Sequence, residues 1–121
     1  MGFGTFIVLI VEDEYLIRMN ARDMVEESGY SVLEASNADE AISVLEARSD
    51  IAAIFTDIQM PGSMDGLKLA AAVRNRWPPV KIIAVSGRAK LTDADLPDGA
   101  HHLSKPYTRR QVADHLHDLL G

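Results

Sequence analysis

The sequence predicts an α/β protein: a parallel sheet with helices on both faces. Two observations carry that reading. Apolar runs of strand length alternate with amphipathic segments of helix length along the whole chain. Strict alternation of this kind needs crossover connections, which pack helices on both sides of parallel strands. The first run, Phe6-Ile7-Val8-Leu9-Ile10-Val11, has no interleaved polar residue. That is the signature of a strand buried on both faces.

The elements follow in order. After the first strand, a helix is expected from Glu14 to Ser28, because Ile17, Ala21, Met24 and Val25 share one helical face. Gly29 ends it. Tyr30 to Ala35 is a short strand with interleaved polar positions, which places it near an edge. Asn37 and Glu40 have the spacing of a capping box, and Ala38, Ala41, Ile42 and Leu45 form the buried face of the helix they start. Ile51 to Asp57 is a third apolar run, ending in a carboxylate. Pro61, Gly62 and Ser63 mark a loop. The helix from about Asp65 to Trp77 buries Leu69, Ala70, Val73 and Trp77 and stops at Pro78-Pro79. Val80 to Val85 is the fourth strand, followed by Ser86-Gly87. In the stretch 88–99 apolar residues are sparse, and Pro97 limits any helix to about two turns. Ala100 to Leu103 is the fifth strand. Thr108 and Gln111 repeat the capping-box spacing, and Val112, Leu116, Leu119 and Leu120 line the last helix.

Composition excludes several classes. A chain of 121 residues is expected to hold a single domain with no output module. Cysteine is absent, which removes disulfide and thiolate-metal chemistry. The net charge of −6, with no basic stripe, argues against direct nucleic-acid binding. No apolar run approaches the roughly 20 residues of a membrane span, and the apolar run Thr5 to Val11 is too short and lacks the basic flank expected of a signal peptide. The chain reads as soluble and cytoplasmic, without a membrane partner.

In open parallel sheets, ligands sit beyond the carboxyl ends of the strands. Those ends carry Glu12 and Asp13 (strand one), Asp57 (strand three) and Ser86 (strand four), with Lys105 just past strand five. Carboxylates gathered in one pocket repel unless a cation neutralises them. A hard divalent ion such as Mg²⁺ suits one or two of them together with water. Lys105 and Ser86 could hold the oxygens of a phosphoryl group, and Asp57, the central carboxylate, is a candidate nucleophile. Each residue also has a plain reading. Glu12 and Asp13 could cap a helix, Asp57 could be a solvated strand end, Lys105 a surface lysine and Ser86-Gly87 a turn. Asp65-Gly66 reads as turn chemistry, and Arg109-Arg110 as a solvated face. His101 and His102 point to opposite sides of a strand. His115 and His117 share no helical face, so no histidine metal site is expected.

Together these residues resemble the receiver domain of two-component response regulators, similar to chemotaxis regulators, over essentially the whole chain. The pieces that carry the resemblance are Val11-Glu12-Asp13-Glu14, Asp57-Ile58-Gln59-Met60-Pro61 with Met64-Asp65-Gly66, Ser86-Gly87 and Lys105-Pro106-Tyr107. It implies a flavodoxin-like (βα)5 fold with strand order 2-1-3-4-5. It implies that Asp57 accepts a phosphoryl group from a phosphohistidine of a histidine kinase or histidine phosphotransfer protein. The same resemblance makes Asp13, Glu12, Asp57 and the Gln59 backbone carbonyl the site for Mg²⁺ or Mn²⁺. Lys105 pairs with the phosphoryl oxygens, and Ser86 and His102 act as switch residues, His102 at a position more often aromatic. Lys105-Pro106 is expected to be cis. The downstream protein target is unknown. Two departures stand out: Pro61-Gly62-Ser63-Met64 is one residue longer than the commonest loop, and the segment between Ser86 and Lys105 is short. Gln59 and Arg88 fill variable positions flanking the pocket.

Three other readings remain for comparison. A protein-binding module that works without phosphorylation would not need the intact pocket. A phosphatase on this fold would need an acid/base carboxylate two residues beyond Asp57, where the chain has Gln59. A flavin-binding version would need a phosphate loop where Glu12-Asp13-Glu14 stands. The expected protein is not a turnover enzyme.

Overall fold

The computed structural model describes residues 6–59, 65–87 and 95–121. Five strands, β1 (Ile7–Val11), β2 (Ser31–Ala35), β3 (Ile51–Asp57), β4 (Lys81–Ser86) and β5 (His101–Ser104), pair in parallel in the order β2-β1-β3-β4-β5. Four helices are described: α1 (Tyr15–Glu27), α2 (Ala38–Ala47), α3 (Gly66–Arg76) and α4 (Arg109–Leu120). The expected order and the flavodoxin-like arrangement are both present. The Pro61-Gly62-Ser63-Met64 loop, Arg88 and most of the expected helical segment in 88–99 lie outside the described residues.

The alternation of side chains along a strand divides the core in two. Leu9 and Val11 face one side, with Ile54 and Ile82, and meet Ala41 and Leu45 of α2 and Leu69 and Val73 of α3. Val8 and Ile10 face the other, with Phe55, Ile83 and Val85, and meet Ala21 and Val25 of α1 and Val112 and Leu116 of α4. β1 is therefore apolar throughout because it feeds both layers. Each such side chain, fully buried, contributes about 1.5–3 kcal/mol. β2 lies at the sheet edge with only Ala35 buried, in line with its interleaved polar residues.

The helix ends follow local chemistry. Asn37 caps α2 by accepting the Glu40 amide at 2.8 Å. Asp65 caps α3 through the Lys68 amide at 2.9 Å, so its role in the structure is structural. Thr108 and Gln111 form the reciprocal capping box that starts α4. Gly29, just past α1, has φ +101°, a conformation that favours glycine.

Chain direction then places the chemistry. From β1 the chain steps outward to β2, then returns to the other side of β1 as β3. The crevice beyond the tips of β1 and β3 is the switch point at which ligands collect in sheets of this kind.

Candidate functional site

Glu12 and Asp13 follow the last residue of β1, and Asp57 is the last residue of β3. One carboxylate oxygen from each can be chosen so that all lie within 4.8 Å of one another. Asp13 is exposed, whereas Glu12 and Asp57 are only 5% and 6% exposed. The cleft they line has a volume of about 430 Å³ and is completed by Glu14, Gln59, Gly87 and Lys105.

Backbone contacts fix this geometry. The Glu12 amide donates to the Ala35 carbonyl, and the Ile58 amide to the Val85 carbonyl, extending the ladder past the strand ends. Asp57 Oδ1 accepts the Gln59 amide at 2.9 Å, and Asp57 Oδ2 accepts from Lys105 Nζ at 2.6 Å. Lys105 Nζ also reaches Glu12 Oε1 at 3.4 Å. Lys105 is placed by its own amide, which donates to the Ser86 carbonyl at 2.8 Å, and the following Lys105-Pro106 bond is cis. Glu12 Oε2 accepts the Glu14 amide at 3.1 Å, so Glu12 serves the start of α1 as well as the cleft.

Among the described residues, the site holds more negative than positive charge. Burial pushes the Glu12 carboxyl up to about 7, and its contacts with Asp13 and Asp57 act in the same direction. Burial alone would depress the Lys105 ammonium, but Asp57 and Glu12 outweigh it and hold its pKa above the usual lysine value. Among the described residues, one ammonium serves a group of three carboxylates. Oxygen donors with surplus negative charge, open to solvent on one side, fit a hard divalent cation.

Ser86 ends β4 and is 3% exposed. Its Oγ lies 2.9 Å from His102 Nε2 on β5, and it is not among the residues lining the acidic cleft. The two residues read as a switch are thus in contact with each other. Gly87 lines the cleft, and a Cβ there would come no nearer than 3.5 Å to Lys105.

Sequence reasoning missed a support beneath Glu12. Arg18 Nη1 donates to the Glu12 carbonyl at 2.8 Å, while Arg18 Nε donates to Glu34 Oε1 on β2 at 2.9 Å. Burial would raise the Glu34 carboxyl, but Arg18 and Arg22 pull it below its usual range. The charged Glu34 on the edge strand was the available signal, though nothing in the sequence names its partner. His101 and His115 also meet, with Nδ1 atoms 2.8 Å apart. Their separation along the chain concealed the pairing.

The fold and the site together define a doubly wound α/β domain with an acid–lysine pocket at its switch point. The chain belongs to the response regulator receiver domain family, whose model matches residues 8–117. It is 35% identical over 121 residues to the sensor kinase CckA of Brucella abortus, covering 97% of this chain and 13% of that protein. It spans 13% to 23% of the length of several curated relatives. A crystal structure of a response regulator receiver protein from Sinorhizobium medicae superposes with a TM-score of 0.88 at 27% identity, covering 98% of this chain and 97% of that one. The response regulator TrrA of Thermotoga maritima, in complex with Mg²⁺-BeF, matches with a TM-score of 0.82 at 25% identity, covering 96% of this chain and all (100%) of that one.

Proposed function

We propose that this receiver domain accepts a phosphoryl group on Asp57 from a phosphohistidine of a histidine kinase or histidine phosphotransfer protein. The observation that carries the reading is the Asp57–Lys105 contact of 2.6 Å beside Glu12 and Asp13. Glu12, Asp13, Asp57 and the Gln59 carbonyl would hold Mg²⁺ or Mn²⁺. When bound, the ion neutralises carboxylate charge and draws a phosphoryl oxygen into place. The binding of Mg²⁺-BeF by a structural relative supports this assignment.

The chain's own residues do the rest. A carboxylate oxygen of Asp57 forms the new phosphorus–oxygen bond, and the phosphorus–nitrogen bond breaks with its electron pair returning to the donor imidazole. Lys105 already sits on Asp57 Oδ2 and follows the charge onto the phosphoryl oxygens. Ser86 Oγ exchanges its contact with His102 for a phosphoryl oxygen, which shifts the surface around β4 and β5 between two arrangements. The protein works as a switch that catalyses only its own phosphorylation and dephosphorylation. Its downstream partner is a protein reached by surface contact.

Incubation with acetyl phosphate or phosphoramidate and Mg²⁺, read by intact mass, tests this. One phosphoryl group should be gained by the wild type and none by Asp57→Asn. Equal gain by Asp57→Asn, or none by either protein, refutes the proposal.

A further inference from the structure

We infer that His101 and His115 form a second metal site, for a borderline transition ion such as Zn²⁺, Ni²⁺ or Cu²⁺, separate from the acidic cleft. His101 stands on β5 and His115 on α4, and their Nδ1 atoms point into one gap, 2.8 Å apart. The ring centroids are 5.0 Å apart and the planes cross at 78°.

That contact requires one donor and one acceptor, so only one proton lies between the two nitrogens. On the far side of His101, Nε2 is 3.4 Å from Asp118 Oδ2. The carboxylate favours a proton on that nitrogen and leaves His101 Nδ1 as a lone pair. His115 Nδ1 is then the donor. A carboxylate on the far side of an imidazole, favouring one tautomer, is a common companion of a metal-binding histidine. Burial, then the neighbouring His101, lowers the His115 pKa, partly offset by Asp118 and Asp114, which favours the neutral form of that ring.

Little rearrangement is needed. With Zn–N bonds of about 2.0–2.1 Å at a tetrahedral angle, two ligand nitrogens stand roughly 3.3 Å apart. The gap must open by about half an ångström, within reach of small ring rotations. His115 would carry its proton on Nε2 instead of Nδ1, so the neutral pair binds a metal without net proton loss. The remaining coordination positions go to water, since the His101 side chain is 24% exposed. Imidazole ligands select Zn²⁺, Ni²⁺ and Cu²⁺ over Mg²⁺, the reverse of the carboxylate cleft. A bound ion would tie the sheet edge to α4 at a point now held by a shared proton.

The test is a Zn²⁺ titration of the untagged chain at pH 7.5 in excess Mg²⁺, followed by calorimetry and by histidine side-chain ¹H–¹⁵N spectra. One equivalent should bind in the micromolar range, moving the Nδ1 signals of both His101 and His115, with the Nε2 proton kept in His101 and gained in His115. His101→Gln and His115→Gln should each weaken binding at least about tenfold, and Asp13→Asn should leave it in place. Circular dichroism confirms that each variant is folded. Absence of binding, loss in only one of the two histidine variants, or loss in Asp13→Asn overturns the inference.

Discussion

Replacing Gly66 with alanine would drive a methyl group into the backbone that carries Asp57. A Cβ at this position would sit 2.1 Å from the Asp57 carbonyl oxygen, 2.5 Å from Ile58 Cα and 2.8 Å from the Asp57 carbonyl carbon. The shortest of these is more than 1 Å inside ordinary contact, and each obstacle is backbone, which cannot rotate away. Gly66 lacks a positive φ, so alanine meets no backbone strain and gains up to about 1 kcal/mol of helix propensity. Overpacking costs about 1–3 kcal/mol in general and more where neighbours cannot move. The steric term wins, and a net loss of about 2–3 kcal/mol is expected. With a urea m-value of about 1.5 kcal/mol/M, the unfolding midpoint should fall by about 1.3–2 M. Relief must come by moving α3 or the Asp57–Ile58 peptide, so Mg²⁺ affinity should also fall at least about tenfold. A Gly66→Ala midpoint within about 0.3 M of wild type would show that α3 does not rest on Asp57 as described.

Three further outcomes follow from the geometry. Burial pushes the Glu12 carboxyl up to about 7 in the folded protein, against an ordinary value of 4.5. Its contribution is therefore complete below the unfolded value and is lost as pH rises through about 7, by at most about 3 kcal/mol. From pH 5 to 8, above the lowered titrations of Glu34 and Glu40, the urea midpoint in EDTA should fall more with pH in wild type than in Glu12→Gln; the lowered His115 acts in the opposite sense but is common to both proteins. A slope unchanged in Glu12→Gln would contradict the assignment. Leu116→Ala removes a fully buried side chain (0% exposed) beneath α4 and should cost about 2–5 kcal/mol in equilibrium unfolding. Thr108→Ala deletes one half of the capping box and should cost about 1 kcal/mol in the same assay, with no change in Mg²⁺ affinity.

What could be read from the sequence was whatever depends on period and order. Val8 to Val11 announce a strand buried on both faces, and the structure uses them in two layers. Asp57 and Lys105 could be placed together because strand alternation puts both at the same end of the sheet. Side-chain direction across elements was not legible. The Arg18 reach to both Glu12 and Glu34 depends on the rotation of α1 against β2, which hydrophobic spacing defines only to within a face. The His101–His115 contact depends in the same way on how α4 turns over β5. Ser86 was placed correctly at a strand tip, yet its contact with His102 is a choice of rotamer that no pattern records. Gly66 read as turn chemistry; its demand for a bare Cα appears only when α3 meets Asp57.

The two apolar layers share no buried residue: Leu69 and Val73 belong to one, Val112 and Leu116 to the other. The sheet acts as a thermodynamic partition. Substitutions on opposite sides, such as Leu69→Ala and Leu116→Ala, should add in free energy to within about 0.5 kcal/mol. Coupling between the halves concentrates where the partition ends, at the tips of β1 and β3. There Glu12 takes an amide from α1 while the Asp57 carbonyl backs onto α3. A disturbance at the acidic cleft is felt by both layers at once, whereas a disturbance in either layer stays largely at home.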